Sequence, residues 1–221
     1  MKYKCLIFDH DDTVVNSTAT LHHPCFEAFL KEYLPGRSCS LEEYFIKNFS
    51  PGFLQMCKED YNMSDELLAV EEAYWKSYVQ NRIPMAYPGI REIMERQKAE
   101  GGWIAVISHS FYENILRDYR EKSLPEPDLI FGWEQPADRR KPSLWPLQEV
   151  LRRLDLAPDE ALVIDDLKPG FDMAQACGVP FAAAGWAHDI PEIENFMRKF
   201  SKNYFKNISE FADFLADGTE E

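Results

Sequence analysis

This chain of 221 residues has few basic side chains and no long apolar segment. Lysine and arginine number 24 against 38 aspartates and glutamates, so the formal net charge is −14. Because the basic residues form no extended run, we expect no electrostatic binding to nucleic acid or to an anionic membrane. No apolar run is long enough to span a bilayer, and the first residues lack the form of a signal peptide. These absences predict a soluble chain.

Cysteine is also sparse, with five residues that are widely separated and include no C-x-x-C pair. That pattern argues against a disulfide framework and against a zinc site built from paired cysteines. We therefore expect free, buried thiols and a reducing, cytoplasmic setting. The five residues are Cys5, Cys25, Cys39, Cys57 and Cys177.

The apolar content is sufficient for a packed interior, with 45% hydrophobic and 14% aromatic residues. From about residue 21 to 84 the apolar spacing is helical, and Ser40 with Glu43 has the spacing of a capping box. After Pro88, strand and helix patterns alternate, which predicts an α/β fold with a parallel sheet. The predicted strands there are 103–107, 128–131, 161–164 and 180–184, and the predicted helices lie near 90–100, 112–121, 144–154, 171–177, 193–200 and 210–215.

Acidic residues follow two of the predicted buried strands directly. The apolar run Cys5–Phe8 leads into Asp9 and Asp11, and a second run at 162–164 leads into Asp165 and Asp166. In open α/β sheets, ligands bind at the carboxyl ends of the strands. One carboxylate there can act as nucleophile and another as proton donor, while a metal ion holds the site together.

Two further polar features lie between these acidic strand ends. Ser108 follows the predicted strand 103–107, and Lys141 precedes Pro142. In this order, the acidic end with Asp9, the hydroxyl, the lysine and the second acidic end resemble the haloacid dehalogenase-like superfamily. The layout is similar to that of its phosphoglycolate phosphatases and β-phosphoglucomutases. The resemblance covers nearly the whole chain.

The resemblance implies a Rossmann-like three-layer core with a parallel sheet and an all-helical cap domain inserted after the first strand. The core would comprise residues 1–16 and 86–221, and the cap would comprise residues 17–85. The connections near 16–21 and 83–87 would then be hinges.

The resemblance also implies a role for each matched residue. Asp9 would be the nucleophile that forms an aspartyl-phosphate, and Asp11 would be the general acid and base. Lys141 would be catalytic and would bind the phosphoryl group together with Ser108, with His109 at the rim of the site. Mg²⁺ is the implied cofactor, since hard oxygen ligands suit it. Its implied ligands are Asp9, the backbone carbonyl of Asp11, Asp165 and Asp166.

The function these residues imply is Mg²⁺-dependent hydrolysis of a small phosphorylated metabolite. A β-phosphoglucomutase-like sugar-phosphate mutase is the alternative enzyme, and a binding or regulatory protein with weakened catalysis is the third hypothesis. The chain departs from the family pattern at Asp12, where glycine is usual; Asp12 is expected either in a left-handed turn or as a solvent-facing cap. His10 receives no side-chain role, and neither His22 nor His23 is in register with the histidine of the mutases.

Overall fold

The computed structural model describes residues 1–216, which divide into two compact units. The first unit joins Met1–Asn16 to the residues from Met85 onward, and the second is Ser17–Pro84. In chain order the elements are β1 (Cys5–Phe8), β2 (Val15–Asn16), α1 (His23–Tyr33), α2 (Leu41–Phe49), α3 (Phe53–Glu59), α4 (Asp65–Val79), β3 (Met85–Ala86), α5 (Ile90–Ala99), β4 (Trp103–Ile107), α6 (Tyr112–Glu121), β5 (Leu129–Phe131), α7 (Trp145–Leu154), β6 (Ala161–Asp165), α8 (Lys168–Cys177), β7 (Phe181–Ala184), α9 (Pro191–Phe200), β8 (Asn203–Phe205) and α10 (Ile208–Ala216).

Six parallel strands form the sheet of the first unit, in the order β5-β4-β1-β6-β7-β8. The first strand, β1, lies between β4 and β6, with Cys5 opposite Trp103 on one side and Ala161 on the other. All four residues of β1 are buried, which explains why its sequence is continuously apolar. The α/β class with a parallel sheet is confirmed. Because the strand order changes direction at β1, the carboxyl end of β1 is the switch point of this sheet.

Helices cover the sheet on both faces. Alternate residues of the central strands, such as Leu6 and Phe8, pack with α5, α6 and α10 in one apolar core. The intervening residues, such as Ile7, are directed to the opposite face because side chains alternate along a strand. On the other side, α8 contacts β6 and β7, and α7 contacts both α8 and β4. This is the three-layer arrangement that the family resemblance implies.

The structure adds three short strands that the sequence analysis did not predict. Strands β2 and β3 pair antiparallel through two residues each, and β8 joins the edge of the main sheet. None of the three has an apolar run; the β8 residues are only half-buried. Helix α8 begins three residues earlier than predicted, because Pro169 occupies the first turn, where its missing N–H costs nothing.

The second unit is helical throughout its described elements. A π-helical turn at Thr18–His22 precedes α1, and α1 packs against α4. Ser40 forms the predicted capping box at the start of α2: its hydroxyl accepts from the Glu43 amide, and its own amide donates to the Glu43 carboxylate. The core of this unit is largely aromatic and includes Phe26, Phe29 and Tyr44.

Two expectations from the sequence, free cysteines and the lack of a membrane-spanning segment, can be compared with the structure of residues 1–216. The five cysteines are free thiols; all are buried except the half-buried Cys177, so the expectation of free thiols is confirmed. In that same stretch of chain, no helix combines the length and the apolar character needed to cross a bilayer.

Candidate active site

The switch point of the sheet brings the acidic strand ends together. Asp9 follows β1, and its amide donates a hydrogen bond to the Ile164 carbonyl at 2.8 Å, which ties it to the neighbouring strand β6. Asp165 ends β6 and Asp166 follows it. All three carboxylates are buried, and each places an oxygen within 4.8 Å of the others. Residues that are more than 150 positions apart in the chain therefore share one site.

Lys141 lies between two of these carboxylates. Its Nζ is 2.9 Å from Asp9 Oδ1 and 2.6 Å from Asp165 Oδ2. The contact with Asp165 is a hydrogen bond, whereas the contact with Asp9 is an ion pair in which Oδ1 receives no well-aligned hydrogen bond. Burial alone would lower the pKa of Lys141, but attraction to Asp165 and Asp9 outweighs burial and raises the pKa above its ordinary value. Lys141 is therefore a fixed cation beside Asp9.

Asp165 is held from both sides. Besides Lys141, the amide of Leu167 donates to Asp165 Oδ1 at 2.8 Å. Gly170 in the first turn of α8 allows this arrangement, because a Cβ there would lie 2.0 Å from Asp165 Oδ2. Burial raises the pKa of Asp165 to about 7, although Lys141 opposes that rise. Asp165 thus orients Lys141 with one oxygen and fixes its own position with the other.

Asp166 is the third carboxylate of the buried cluster. The hydroxyl of Thr13 donates to Asp166 Oδ1 at 3.4 Å. Burial raises the pKa of Asp166 well above its ordinary value, and repulsion from Asp12 and Asp165 raises it further. A divalent cation would relieve this repulsion, because clustered oxygen donors of like charge are the environment that hard cations require.

Asp11 points to a different partner. Its Oδ2 accepts a hydrogen bond from the Ser110 hydroxyl at 2.5 Å, and the Ser110 amide in turn donates to Ser108 Oγ at 3.2 Å. Ser108 and Ser110 are both buried. The sequence analysis named Ser108 but missed Ser110; the signal available was a second hydroxyl two residues after the same strand. The three residues connect the β1 loop to the loop before α6.

His109 is oriented by the backbone of Lys141. A carbonyl oxygen can only accept, so His109 Nε2 carries the proton and donates to the Lys141 carbonyl at 3.0 Å. The edge of the ring meets Trp133, with the centroids 5.7 Å apart. Burial lowers the pKa of His109 to about 4, and the nearby Lys141 charge lowers it as well. The imidazole is therefore neutral at neutral pH.

Asp12 adopts the left-handed conformation that glycine usually provides, with φ of 57°. This confirms one of the two expectations for that position. The other, a solvent-facing cap, is wrong, because Asp12 is buried with only 3% of its surface exposed. The error has a physical reason: the β1 loop folds back on itself, with the Asp12 amide donating to the Val15 carbonyl at 2.7 Å, and so turns this residue inward.

The three other histidines named in the sequence analysis have structural partners. His10 is buried, and its Nε2 lies 3.1 Å from Asp118 Oδ2. In the helical unit, His22 Nδ1 accepts a hydrogen bond from Trp75 at 2.9 Å, and His23 Nε2 lies 2.8 Å from the Cys39 carbonyl. The contact of His10 with Asp118 joins the loop that carries Asp9 and Asp11 to α6.

Comparison with known proteins yields one family and several relatives. The sequence profile of the family described as haloacid dehalogenase-like hydrolase matches residues 6–184. Phosphoglycolate phosphatase of Aquifex aeolicus is 26% identical over 191 residues, which cover 84% of this chain and 86% of that protein. Pyrophosphatase PpaX of Bacillus cereus is 24% identical over 192 residues, which cover 84% and 85%. Among solved structures, a HAD family hydrolase from Deinococcus radiodurans with bound phosphate and sodium superposes with a TM-score of 0.74 at 19% identity, covering 98% of this chain and 96% of that one.

Proposed function

Because the chain belongs to the haloacid dehalogenase-like hydrolase family, we propose that it hydrolyses a small phosphorylated metabolite with Mg²⁺ through an aspartyl-phosphate on Asp9. The chain is a phosphoric monoester hydrolase, in line with its phosphatase relatives. The observation that carries the finer proposal is the contact of Lys141 Nζ with both Asp9 and Asp165, which share a buried acidic cluster with Asp166.

The nucleophile in this proposal is a carboxylate oxygen of Asp9. It attacks phosphorus, a new O–P bond forms, and the bond between phosphorus and the substrate oxygen breaks. Phosphoryl transfer depends mainly on positioning and on neutralising negative charge. Lys141 supplies a positive charge 2.9 Å from Asp9 Oδ1 and stays protonated at neutral pH, because Asp165 and Asp9 raise its pKa. Ser108, whose Oγ accepts from the Ser110 amide, keeps its own proton to donate to a phosphoryl oxygen.

Asp11 is proposed to transfer protons in both half-reactions. It gives a proton to the departing oxygen and later takes one from the water that attacks phosphorus and releases inorganic phosphate from Asp9. The hydrogen bond from Ser110 holds the Asp11 carboxyl at 2.5 Å and so fixes its direction. His109, neutral and anchored to the Lys141 carbonyl, is proposed to border the substrate at the rim.

The donor set fits Mg²⁺. Asp9, Asp165 and Asp166 present buried oxygens within 4.8 Å of one another, and Asp9 Oδ1 receives no well-aligned hydrogen bond. We propose Asp9, Asp166 and the Asp11 backbone carbonyl as ligands, with Asp165 contributing mainly through Lys141. When bound, the cation would neutralise charge on the phosphoryl group. The described division of the chain at residues 16–17 and 84–85 supports the proposal that residues 17–85 form a separate cap domain.

The test compares wild type with Asp9→Asn on p-nitrophenyl phosphate and on a panel of phosphorylated metabolites. Asparagine keeps the shape of the side chain and removes the nucleophile. Wild type should release inorganic phosphate with Mg²⁺ and not with EDTA, and Asp9→Asn should lose at least about 10³-fold in kcat. Equal turnover by the two proteins would remove Asp9 from its role. An isomerised sugar phosphate without phosphate release would instead favour the mutase.

A further inference from the structure

The residue directly after the proposed nucleophile has a buried ionic partner that the proposed mechanism does not use. His10 Nε2 donates to Asp118 Oδ2 at 3.1 Å, and the two residues are 1% and 2% exposed. The other oxygen of Asp118 accepts from Arg117 Nε at 2.8 Å. The His10 ring also stacks on Tyr119, with the centroids 5.9 Å apart. Three consecutive residues of α6 therefore hold this imidazole: Asp118 and Tyr119 contact it directly, and Arg117 binds Asp118.

Packing alone does not account for this pair. The layer between the sheet and α6 is apolar and contains Phe8, Val106 and Ile115. His10 Nδ1 is buried there without a hydrogen-bond partner, which costs free energy. Apolar side chains of similar volume are often as stabilising as a buried polar pair, or more so. The pair therefore stabilises this layer no better than apolar side chains would. We attribute its presence to the geometry that it fixes.

What the pair fixes is the loop that carries the reacting groups. The His10 carbonyl accepts hydrogen bonds from the amides of Val14 and Val15, at 2.9 and 3.1 Å, so the loop closes around this residue. Asp9 precedes it and Asp11 follows it. Since Ser110 holds the Asp11 side chain, the segment from residue 108 to 118 contacts two consecutive residues of this loop.

We propose that the buried His10–Asp118 pair positions the Asp9 nucleophile, so that His10 is a positioning residue for phosphoryl transfer. The inference rests on the proposed function. The imidazole sets the rotation of the main chain at residue 10 through its directional hydrogen bond, which an apolar ring of equal size cannot provide. Displacement of a reacting group by about 1 Å can reduce the rate by about 100-fold.

The kinetic test uses three variants measured with p-nitrophenyl phosphate and Mg²⁺. We expect His10→Phe to lower kcat by about 10- to 100-fold with KM changed less than about threefold, because positioning affects the reaction more than binding. Asp118→Asn retains an acceptor for His10 Nε2 and should keep most of kcat. The double variant His10→Phe/Asp118→Leu should regain thermal stability lost in His10→Phe, as an apolar pair, without regaining kcat.

The matched control is Ile115→Val on the same buried face of α6. It should lower the melting temperature by about 1–6 °C and leave kcat unchanged. If the double variant has wild-type kcat, or if kcat follows thermal stability across all variants including the control, the pair is structural only and the proposal is overturned.

A second readout does not depend on turnover. The backbone amide resonances of residues 9–13 in ¹H–¹⁵N spectra should shift in Asp118→Leu, which leaves the β1 loop itself unsubstituted, but not in Ile115→Val. Unchanged resonances in Asp118→Leu would overturn the proposal even if wild type proved inactive. Inactive wild type with shifted resonances would leave the positioning of the loop intact and contradict the proposed function alone.

Discussion

At the scale of single residues, Lys141 explains how several acids can share one buried site. Two carboxylates approach its Nζ within 3 Å, and each would be costly to bury without it. The same contacts give the ammonium group a fixed direction. In the proposed mechanism, Asp165 therefore acts through the lysine that it orients.

Replacement of Lys141 by methionine keeps the length of the side chain and removes its charge. We expect kcat/KM to fall at least about 100-fold and the free energy of unfolding to fall by about 3–5 kcal/mol at neutral pH, because Asp9 and Asp165 lose their counter-ion. Urea unfolding and phosphate release measure the two effects. The control Lys47→Met removes a half-exposed lysine that pairs with Asp60, and should leave the free energy of unfolding nearly unchanged because solvent screens that pair. A similar loss in both variants would contradict this assignment.

Asp12 is a second residue whose effect on stability can be predicted from the structure, because its backbone lies in the left-handed region. Its φ of 57° is accessible to glycine without cost, whereas a residue with a Cβ pays about 1–2 kcal/mol. Its carboxylate also raises the pKa of Asp166, after burial, through repulsion. Asp12→Gly and Asp12→Ala both remove the carboxylate and differ only by a methyl group.

The pair of variants isolates the backbone cost at Asp12. We expect Asp12→Gly to be more stable than Asp12→Ala by about 1–2 kcal/mol in urea unfolding without metal. Equal stabilities of the two variants would show that the left-handed conformation relaxes when the side chain changes.

At the scale of elements, two features depart from a simple pattern of buried apolar and exposed polar residues. One is a short polar strand, and the other is an acidic residue on the buried side of a helix. The edge strand β8 is only half-buried, so no apolar run marked it in advance. Helix α4 carries Glu71 on its buried side, at 6% exposure. Burial raises the pKa of Glu71 from 4.5 to about 7, and Glu72 adds to the rise while His22 opposes it.

The raised pKa of Glu71 makes the stability of the protein depend on pH. The folded state holds this proton up to about pH 7, whereas the unfolded state releases it near 4.5. The stabilisation that protonated Glu71 provides is therefore fully present below about pH 4.5 and is lost as the pH rises through 7. The free energy of unfolding falls by about 3 kcal/mol over this range. Glu71→Gln should remove this contribution to the pH dependence of urea unfolding. The exposed control Glu42→Gln should keep the wild-type pH dependence, and an unchanged slope in Glu71→Gln would contradict the assignment.

At the scale of the whole molecule, a formal charge of −14 and a buried acidic cluster predict that cations stabilise the folded protein. The folded pKa of Asp165 is about 7, above its ordinary value of 3.8, because the group is buried. Its contribution to stability is therefore complete below about pH 3.8 and is lost as the pH rises through 7. A bound divalent cation reverses that loss by favouring the ionised carboxylates.

We therefore expect Mg²⁺ to raise the melting temperature more at pH 8 than at pH 5.5. At a concentration 100 times its Kd the cation adds about 2.7 kcal/mol, which corresponds to about 5–10 °C for a chain of this size. Thermal unfolding followed by tryptophan fluorescence, with Mg²⁺ or with EDTA, measures the effect. Asp166→Asn should lose most of it, and an equal rise in that variant would place the cation elsewhere.

Much of the architecture was predictable from local sequence. The continuous apolar run of β1, the alternation after Pro88 and the spacing of Ser40 with Glu43 each determine a local conformation, because strands, helices and caps depend on near neighbours. The left-handed turn at Asp12 was one of two expectations for that position, and it rested on the family pattern, in which glycine is usual there. The proposed catalytic residues Asp9 and Lys141 were recognisable from their order along the chain.

Other features arose only from contacts between distant segments. Residues 10 and 118 are more than 100 positions apart, and no periodicity in either segment indicates that an imidazole and a carboxylate meet inside an apolar layer. The burial of Asp12 and the hydrogen bond of Ser110 to Asp11 likewise could not be predicted from the sequence near either residue. The amino-acid sequence by itself determined which segments form strands and helices, since those choices are local. Only the tertiary structure decided which polar groups are buried together, because their partners and their loss of water are set by packing of the whole chain.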